Sequence, residues 1–172
     1  IVAGGGVHYA LASGALADLA ARHGIPVAET QAGKGALAWN HPCNAGAVGV
    51  TGASAANALL AECDLVLAIG TRLSDFTTGS GRLVRDFDER LVAINVCRHD
   101  AAKRGALALR ADARSALEEI GPVLAGWAAD PAWGERTRVL PLVLAALLAA
   151  WLWHHFGTKG HGIDLNAMLT TL

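Results

Sequence analysis

Short unbroken apolar runs alternate, over most of this chain, with longer stretches whose apolar residues recur at helical spacing. Leu65-Val66-Leu67-Ala68-Ile69 is the clearest run, and it suits a strand covered on both faces. Leu91-Val92-Ala93-Ile94-Asn95-Val96 is the next, and Ala106 to Leu109 is a shorter one. Near the start, Ile1-Val2-Ala3 reads as the end of a strand and Pro26-Val27-Ala28-Glu29 as another. Between these two, Leu11, Ala15, Leu16 and Leu19 mark a helix from about Tyr9 to His23, with Gly24 at its C-cap and Pro26 beyond. Ser54 to Cys63 predicts an Ala/Leu helix with Asn57 as its one polar interior candidate. Asp112 is placed to cap a helix from Ala113 to about Ala125. Strand, glycine turn, helix, strand is a βαβ unit whose crossover should be right-handed. Up to Trp127 the pattern therefore predicts an α/β domain, Rossmann-like and doubly wound around a mainly parallel sheet.

The candidate chemistry sits in glycine-rich turns at the ends of the predicted strands. Thr30 to Pro42 follows the second strand, and there Gly33 and Gly35 flank Lys34. A short glycine loop with one cation is where an open α/β sheet holds an anionic or nucleotide-like group, although a plain strand-to-helix turn reads the same way. Gly4-Gly5-Gly6 lacks the full G-x-G-x-x-G order, so it fits close helix–strand packing as well as a dinucleotide turn. Gly46 to Gly52 is a second glycine-rich segment. In Gly70 to Gly79, Arg72 suits a phosphate or carboxylate with Asp75 orienting it, or else the two form a local ion pair. Asp112 reads as a plain N-cap or as a ribose ligand. His8, His23, His41 and His99 are scattered without metal-ligand spacing, and no Gly-x-Ser-x-Gly elbow occurs. No catalytic constellation and no metal site is expected.

Composition narrows the partners. Of 172 residues, 14 are Lys or Arg and 15 are Asp or Glu, which gives no case for nucleic acid or anionic lipid as the main partner. The Ala, Leu, Val and Gly content suits helices packed on parallel strands. Cys43, Cys63 and Cys97 lie far apart and are expected to be reduced thiols. The chain opens at Ile1 inside a strand pattern, so a piece of a longer polypeptide is expected.

In this order the segments resemble the central domain of thiamine-diphosphate-dependent enzymes, the acetolactate synthase and pyruvate oxidase group, over roughly Ile1 to Trp127. The motifs are Gly4–Gly6, Ile25-Pro26-Val27, Thr30 with Gly33-Lys34-Gly35, His41-Pro42, Ala56-Asn57, Asp64 to Arg72, and Ala111-Asp112-Ala113. Glu29 to Gly35, Ser74 to Thr78, and Ile94-Asn95-Val96 with Asp100-Ala101 and Lys103 are similar to the trihydroxycyclohexanedione hydrolase family of myo-inositol catabolism. That family opens a cyclic diketone using thiamine diphosphate and magnesium. The resemblance implies that both cofactors are held mainly by N- and C-terminal domains outside these residues, which contain no Gly-Asp-Gly. It further implies a non-catalytic scaffold and subunit-contact domain in a cytoplasmic homo-oligomer. From flavin-using relatives it carries over Gly5, Gly6, Thr30, Gln31, Gly52, Arg72 and Asp112 as cofactor-binding positions, with Lys34 and Gly35 as loop residues facing a neighbouring active site. Asn95 and Val96 depart from the group's Ile-Asp-Ile-Asp pattern, which counts against a flavin, and FAD is not expected. The alternatives are an FAD-binding central domain of an acetolactate-synthase-like enzyme and a membrane-tethered nucleotide-binding module.

The C-terminal part follows another pattern. With 1–128 as the domain, 129–138 is expected to be a linker, 139–156 an apolar helix and 157–172 a tail. A helix over Val139–Trp153 is about 22 Å long, short of a hydrocarbon core of about 30 Å. Its flanking Arg136, Arg138 and Lys159, with Trp151 and Trp153, are what a membrane helix would show. The alternative is a helix buried in a larger protein. The stretch 139–172 resembles a segment of short-chain fatty acid transporters, so the junction is expected to be a fusion or a rearranged reading frame.

Overall fold

The computed structural model describes residues 1–84 and 86–156. The chain divides into two units, Ile1–Arg138 and Val139–Leu172. In the first, strands β1 (Val2–Ala3), β2 (Val27–Glu29), β3 (Asn44–Ala47), β4 (Val66–Ile69), β5 (Leu91–Ile94) and β6 (Leu107–Leu109) form one sheet in the order β3-β2-β1-β4-β5-β6. Every pairing is parallel. The doubly wound fold expected from the alternating pattern is the fold observed.

Side-chain alternation along the strands builds two cores. In register, Val2 pairs with Ala68 and Ala3 with Ile69, while Ala68 pairs with Ala93 and Ile69 with Ile94. Ala3, Ile69 and Ile94 share one face and are packed against helices α1 (Gly5–Tyr9), α2 (Ser13–His23) and α7 (Ala113–Val123) through Val7, Leu16, Leu19, Ala116 and Leu117. Val2, Ala68 and Ala93 share the opposite face, covered by Ala56, Leu59 and Leu60 of α3 (Ser54–Glu62). Burial on both faces explains why these strands read as unbroken apolar runs. Short helices α4 (Asp75–Thr78), α5 (Phe87–Arg90) and α6 (Arg98–Ala101) fill the remaining connections.

The elements differ from expectation in three places. The helix expected from Tyr9 to His23 is broken, because Leu11 takes φ 52° and leaves its side chain 80% exposed. The glycine-rich segment after Cys43 contains β3, an edge strand of weak β-formers with a register shift against β2 between Val27 and Ala28. The residues 129–138 expected as a linker are mostly helical, since α8 spans Pro131–Phe156. Its start is set by capping rather than hydropathy: the Ala132 N–H donates to Asp130 Oδ1 at 2.9 Å, and Pro131 suits a first turn. Among the described residues no helix is long and apolar enough to cross a membrane. The tail at 157–172 lies outside the described residues.

Where the chain leaves β1 and β4, backbone lies directly on backbone. A Cβ on Gly33 would sit 2.2 Å from the Ala3 carbonyl oxygen, and one on Gly6 would sit 2.6 Å from Gly70 Cα. Gly70 also takes φ 60°. Gly33→Ala is therefore expected to cost about 3 kcal/mol in urea unfolding, the upper range for overpacking, because its neighbours are main chain and cannot swing away. Gly14→Ala, on the open face of α2 with nothing near its Cβ, is expected to stabilise by about 0.5 kcal/mol. Equal effects from the two would contradict the contact.

Candidate functional site

Strand order reverses between β1 and β4, and a crevice of about 610 Å³ opens there at the carboxyl ends of the strands. Gly5, Gly6 and the 91%-exposed Tyr9 form one side, from helix α1 directly after β1. Thr30 and Gln31 enter after β2, Arg72, Ser74 and Phe76 after β4, Asn95 and Asp100 after β5, and Asp112 after β6. The structure thus gathers Gly5, Gly6, Thr30, Gln31, Arg72 and Asp112 around one opening, and places Lys34, Gly35 and Gly52 outside its lining.

Each lining residue has a local reason for its position. Thr30 donates its N–H to the Ala3 carbonyl at 2.9 Å, and its Oγ1 accepts from Gly33 N–H at 3.1 Å, which caps the 3-10 turn Gln31–Gly33. Gln31 Nε2 reaches Thr51 Oγ1 at 3.4 Å and ties the crevice lip to the Gly49–Gly52 turn. Gly52 is packed within that turn, and Asn57 braces it by accepting from Gly49 N–H at 3.0 Å and donating to Gly49 O at 2.9 Å. Asp112 Oδ1 accepts from the backbone N–H groups of Arg114 and Ser115, both at 3.0 Å. Hydrogen bonding from the Ser115 side chain, then from its backbone, holds the Asp112 carboxyl below the usual carboxylate range. Asp112 is thus an N-cap that also faces the crevice.

Asn95 lies on the crevice floor, nearly buried. Its Nδ2 donates to the Thr71 carbonyl at 3.0 Å, and its Oδ1 accepts from Cys97 N–H at 2.9 Å. It thereby joins the loops that follow β4 and β5. Asp100 pairs with Lys103 at 2.5 Å, and that hydrogen bond holds its carboxyl below the usual range. Arg72 is exposed and makes no hydrogen bond or ion pair among the described residues, so its guanidinium is available to an anion.

The reading of Asp75 as the residue that orients Arg72 is corrected: Asp75 pairs instead with Arg104 at 3.0 Å. The reason is topological, since Arg104 is brought alongside from the connection before β6. Glu29, in sequence a strand residue and the start of the Glu29–Gly35 motif, has a further role as the anchor of the loop. Fully buried at the end of β2, its Oε1 accepts from Gly35 and Leu37 N–H, each at 3.0 Å, and its Oε2 faces Lys34 Nζ at 3.2 Å. Lys34 and Gly35 therefore shape the loop around a buried carboxylate. The available signal was an acidic residue closing an apolar strand just before Gly-Lys-Gly. A larger cavity of about 730 Å³ lies at the opposite ends of the strands, lined mainly by aliphatic residues and Trp127. Among the described residues no group of His, Cys, Asp and Glu could hold a metal ion.

An all-parallel doubly wound sheet with a crevice at its switch point defines a Rossmann-like α/β domain. Residues 1–120 match the family described as "Thiamine pyrophosphate enzyme, central domain", and the chain belongs to that family. It is similar to the 3D-(3,5/4)-trihydroxycyclohexane-1,2-dione hydrolase of Clostridium perfringens, 43% identical over 124 residues, which is 72% of this chain and 19% of the relative. The hydrolase of that name from Geobacillus thermodenitrificans is 44% identical over 124 residues, covering 72% and 19%. One from Bacillus cereus is 47% identical over 117 residues, covering 68% and 18%. The chain thus spans about a fifth of the length of these relatives.

Replacing Asn95 tests the crevice floor. Asn95→Asp removes the donor to Thr71 O and sets a carboxylate oxygen against a carbonyl, at an expected cost of about 2 kcal/mol at neutral pH. That repulsion favours the protonated acid and raises its folded pKa, so the penalty should shrink as pH falls toward and below the usual carboxylate range. A pH-independent penalty in urea unfolding would show that the Thr71 contact is not the cause.

Proposed function

We propose that this chain is the non-catalytic central domain of a thiamine-diphosphate- and magnesium-dependent hydrolase that opens a trihydroxycyclohexanedione ring in inositol catabolism. The observation that carries this reading is 41–47% identity to such hydrolases across 68–72% of the chain. On this reading thiamine diphosphate supplies the carbanion chemistry from other domains, and these residues position those domains and neighbouring subunits in a cytoplasmic homo-oligomer. Exposed Tyr9 (91%) and Trp39 (86%) support the reading, since large apolar side chains left open on an isolated domain suit a surface that other parts of an assembly cover.

A second reading concerns the crevice and rests on the six predicted positions gathered there. We infer that it accepts a nucleotide, with Arg72 toward phosphate and the cap residue Asp112 toward a ribose hydroxyl. FAD would be the ligand if the parent enzyme is acetolactate-synthase-like. Asn95 stands where that group carries an acidic residue, and both ends of its amide already serve the fold. ADP, the half that dinucleotides share, is therefore the better probe.

Grafting residues 1–128 in place of the matching segment of the Geobacillus thermodenitrificans hydrolase tests the first reading. The chimera is expected to keep dione ring opening within about tenfold of the parent, a barrier change of about 1.4 kcal/mol. A chimera that assembles and binds thiamine diphosphate yet does not open the dione would overturn the assignment to this hydrolase. Titration of the 172-residue chain with ADP tests the second reading, and Arg72→Ala is expected to weaken binding about tenfold, as loss of a charge-assisted hydrogen bond would.

A further inference from the structure

We propose that Arg104 is a positioning residue for the crevice, clamping the segment that forms its outer wall; this deepens the nucleotide reading and rests on it for the ligand. The wall is the loop after β4 together with α4, which brings Ser74, Phe76 and Thr77 to the opening. That segment is pinned near its middle, where Val50 N–H donates to Phe76 O at 2.9 Å, and carries left-handed residues toward its ends. Leu73 takes φ 45° and Ser80 φ 57°, and α4 is a single short turn.

Arg104 reaches this wall from the connection between α6 and β6. Its Nε donates to the Leu73 carbonyl at 3.4 Å, and its Nη2 donates to Asp75 Oδ1 at 3.0 Å and to Thr78 Oγ1 at 3.2 Å. The contacts differ in weight. Asp75 is 81% exposed, so that ion pair is screened and weak. Leu73 and Thr78 are buried, and Thr78 is the centre of the wall. Its hydroxyl donates to Ser74 O at 3.1 Å and accepts from Gly81 N–H at 3.1 Å as well as from Arg104. Arg104 itself takes φ 57°, a left-handed conformation that costs a side-chain-bearing residue about 1 kcal/mol. Its contacts with the wall help to offset that cost. A planar fork with several donors spans these acceptors, whereas a lysine ammonium does not.

The clamp also couples two sides of the site. Lys103, the preceding residue, holds Asp100, which lines the crevice from the β5 side. Consecutive residues thus hold the neighbouring loops that follow β4 and β5.

The test combines amide hydrogen exchange with ADP titration on the full 172-residue chain, for wild type, Arg104→Ala and Arg104→Lys. In Arg104→Ala, exchange across 73–81 should rise about tenfold while β5 keeps its protection, as for a local opening. ADP affinity should fall about fivefold with little change in melting temperature, and Arg104→Lys should fall between the two. Unchanged exchange at 73–81, or a rise spread evenly over the sheet, overturns the clamp. Unchanged ADP affinity in Arg104→Ala with a loosened wall overturns its role in the site. A wild-type chain that takes up no ADP overturns the nucleotide reading and the ligand half of this inference, while the exchange pattern still decides the clamp.

Discussion

Main chain touching main chain at the β1/β4 switch is the constraint on which the rest of the site depends. Gly33 lies against the Ala3 carbonyl, and Gly6 lies against Gly70, at distances that leave no room for a Cβ. The three turns that follow β1, β2 and β4 therefore meet at one point. Hydrogen bonds from Thr30 N–H to Ala3 O and from Gly6 N–H to Gly70 O lock that meeting. Only after it is made do Gly5, Thr30, Gln31 and Arg72 border the same opening. The triple glycine is thus explained first by close packing, and any ligand it meets benefits from a geometry the fold already requires.

Most of the sheet was legible because parallel strands buried on both faces must be apolar at every position, as Val66–Ile69 and Leu91–Ile94 are. β3 was not legible. Asn44–Ala47 has no such run, and its pairing is imposed by neighbouring backbone, including Val27 N–H to Cys43 O and Val48 N–H to Glu29 O. The break at Leu11 was hidden for a related reason: apolar spacing continues across it, while only the backbone angle changes. Local pattern reports which face a residue belongs to, and it does not report where a helix is interrupted.

Around the site, some pairings are set by nearby chain and others by distant chain. Asp112 is foreseeable as a cap because its partners, Arg114 and Ser115, follow directly. Lys34 and Gly35 stay exposed while the buried carboxylate of Glu29, five and six positions earlier, accepts from the Lys34 ammonium and the Gly35 N–H. Sequence proximity matches Asp75 to Arg72, and its partner is 29 positions away. Asp75 found its counterpart by tertiary approach, which sequence spacing alone does not encode.

The distribution of charge in the crevice follows from those pairings. Asp100 is tied to Lys103 and one oxygen of Asp112 to a helix terminus, while Asp75, outside the lining on α4, is tied to Arg104. Each of these carboxylates is engaged within the fold, and Arg72 is the lining residue whose charge has no such tie among the described residues. On the proposed nucleotide reading, Arg72 is the lining group that would meet the phosphate.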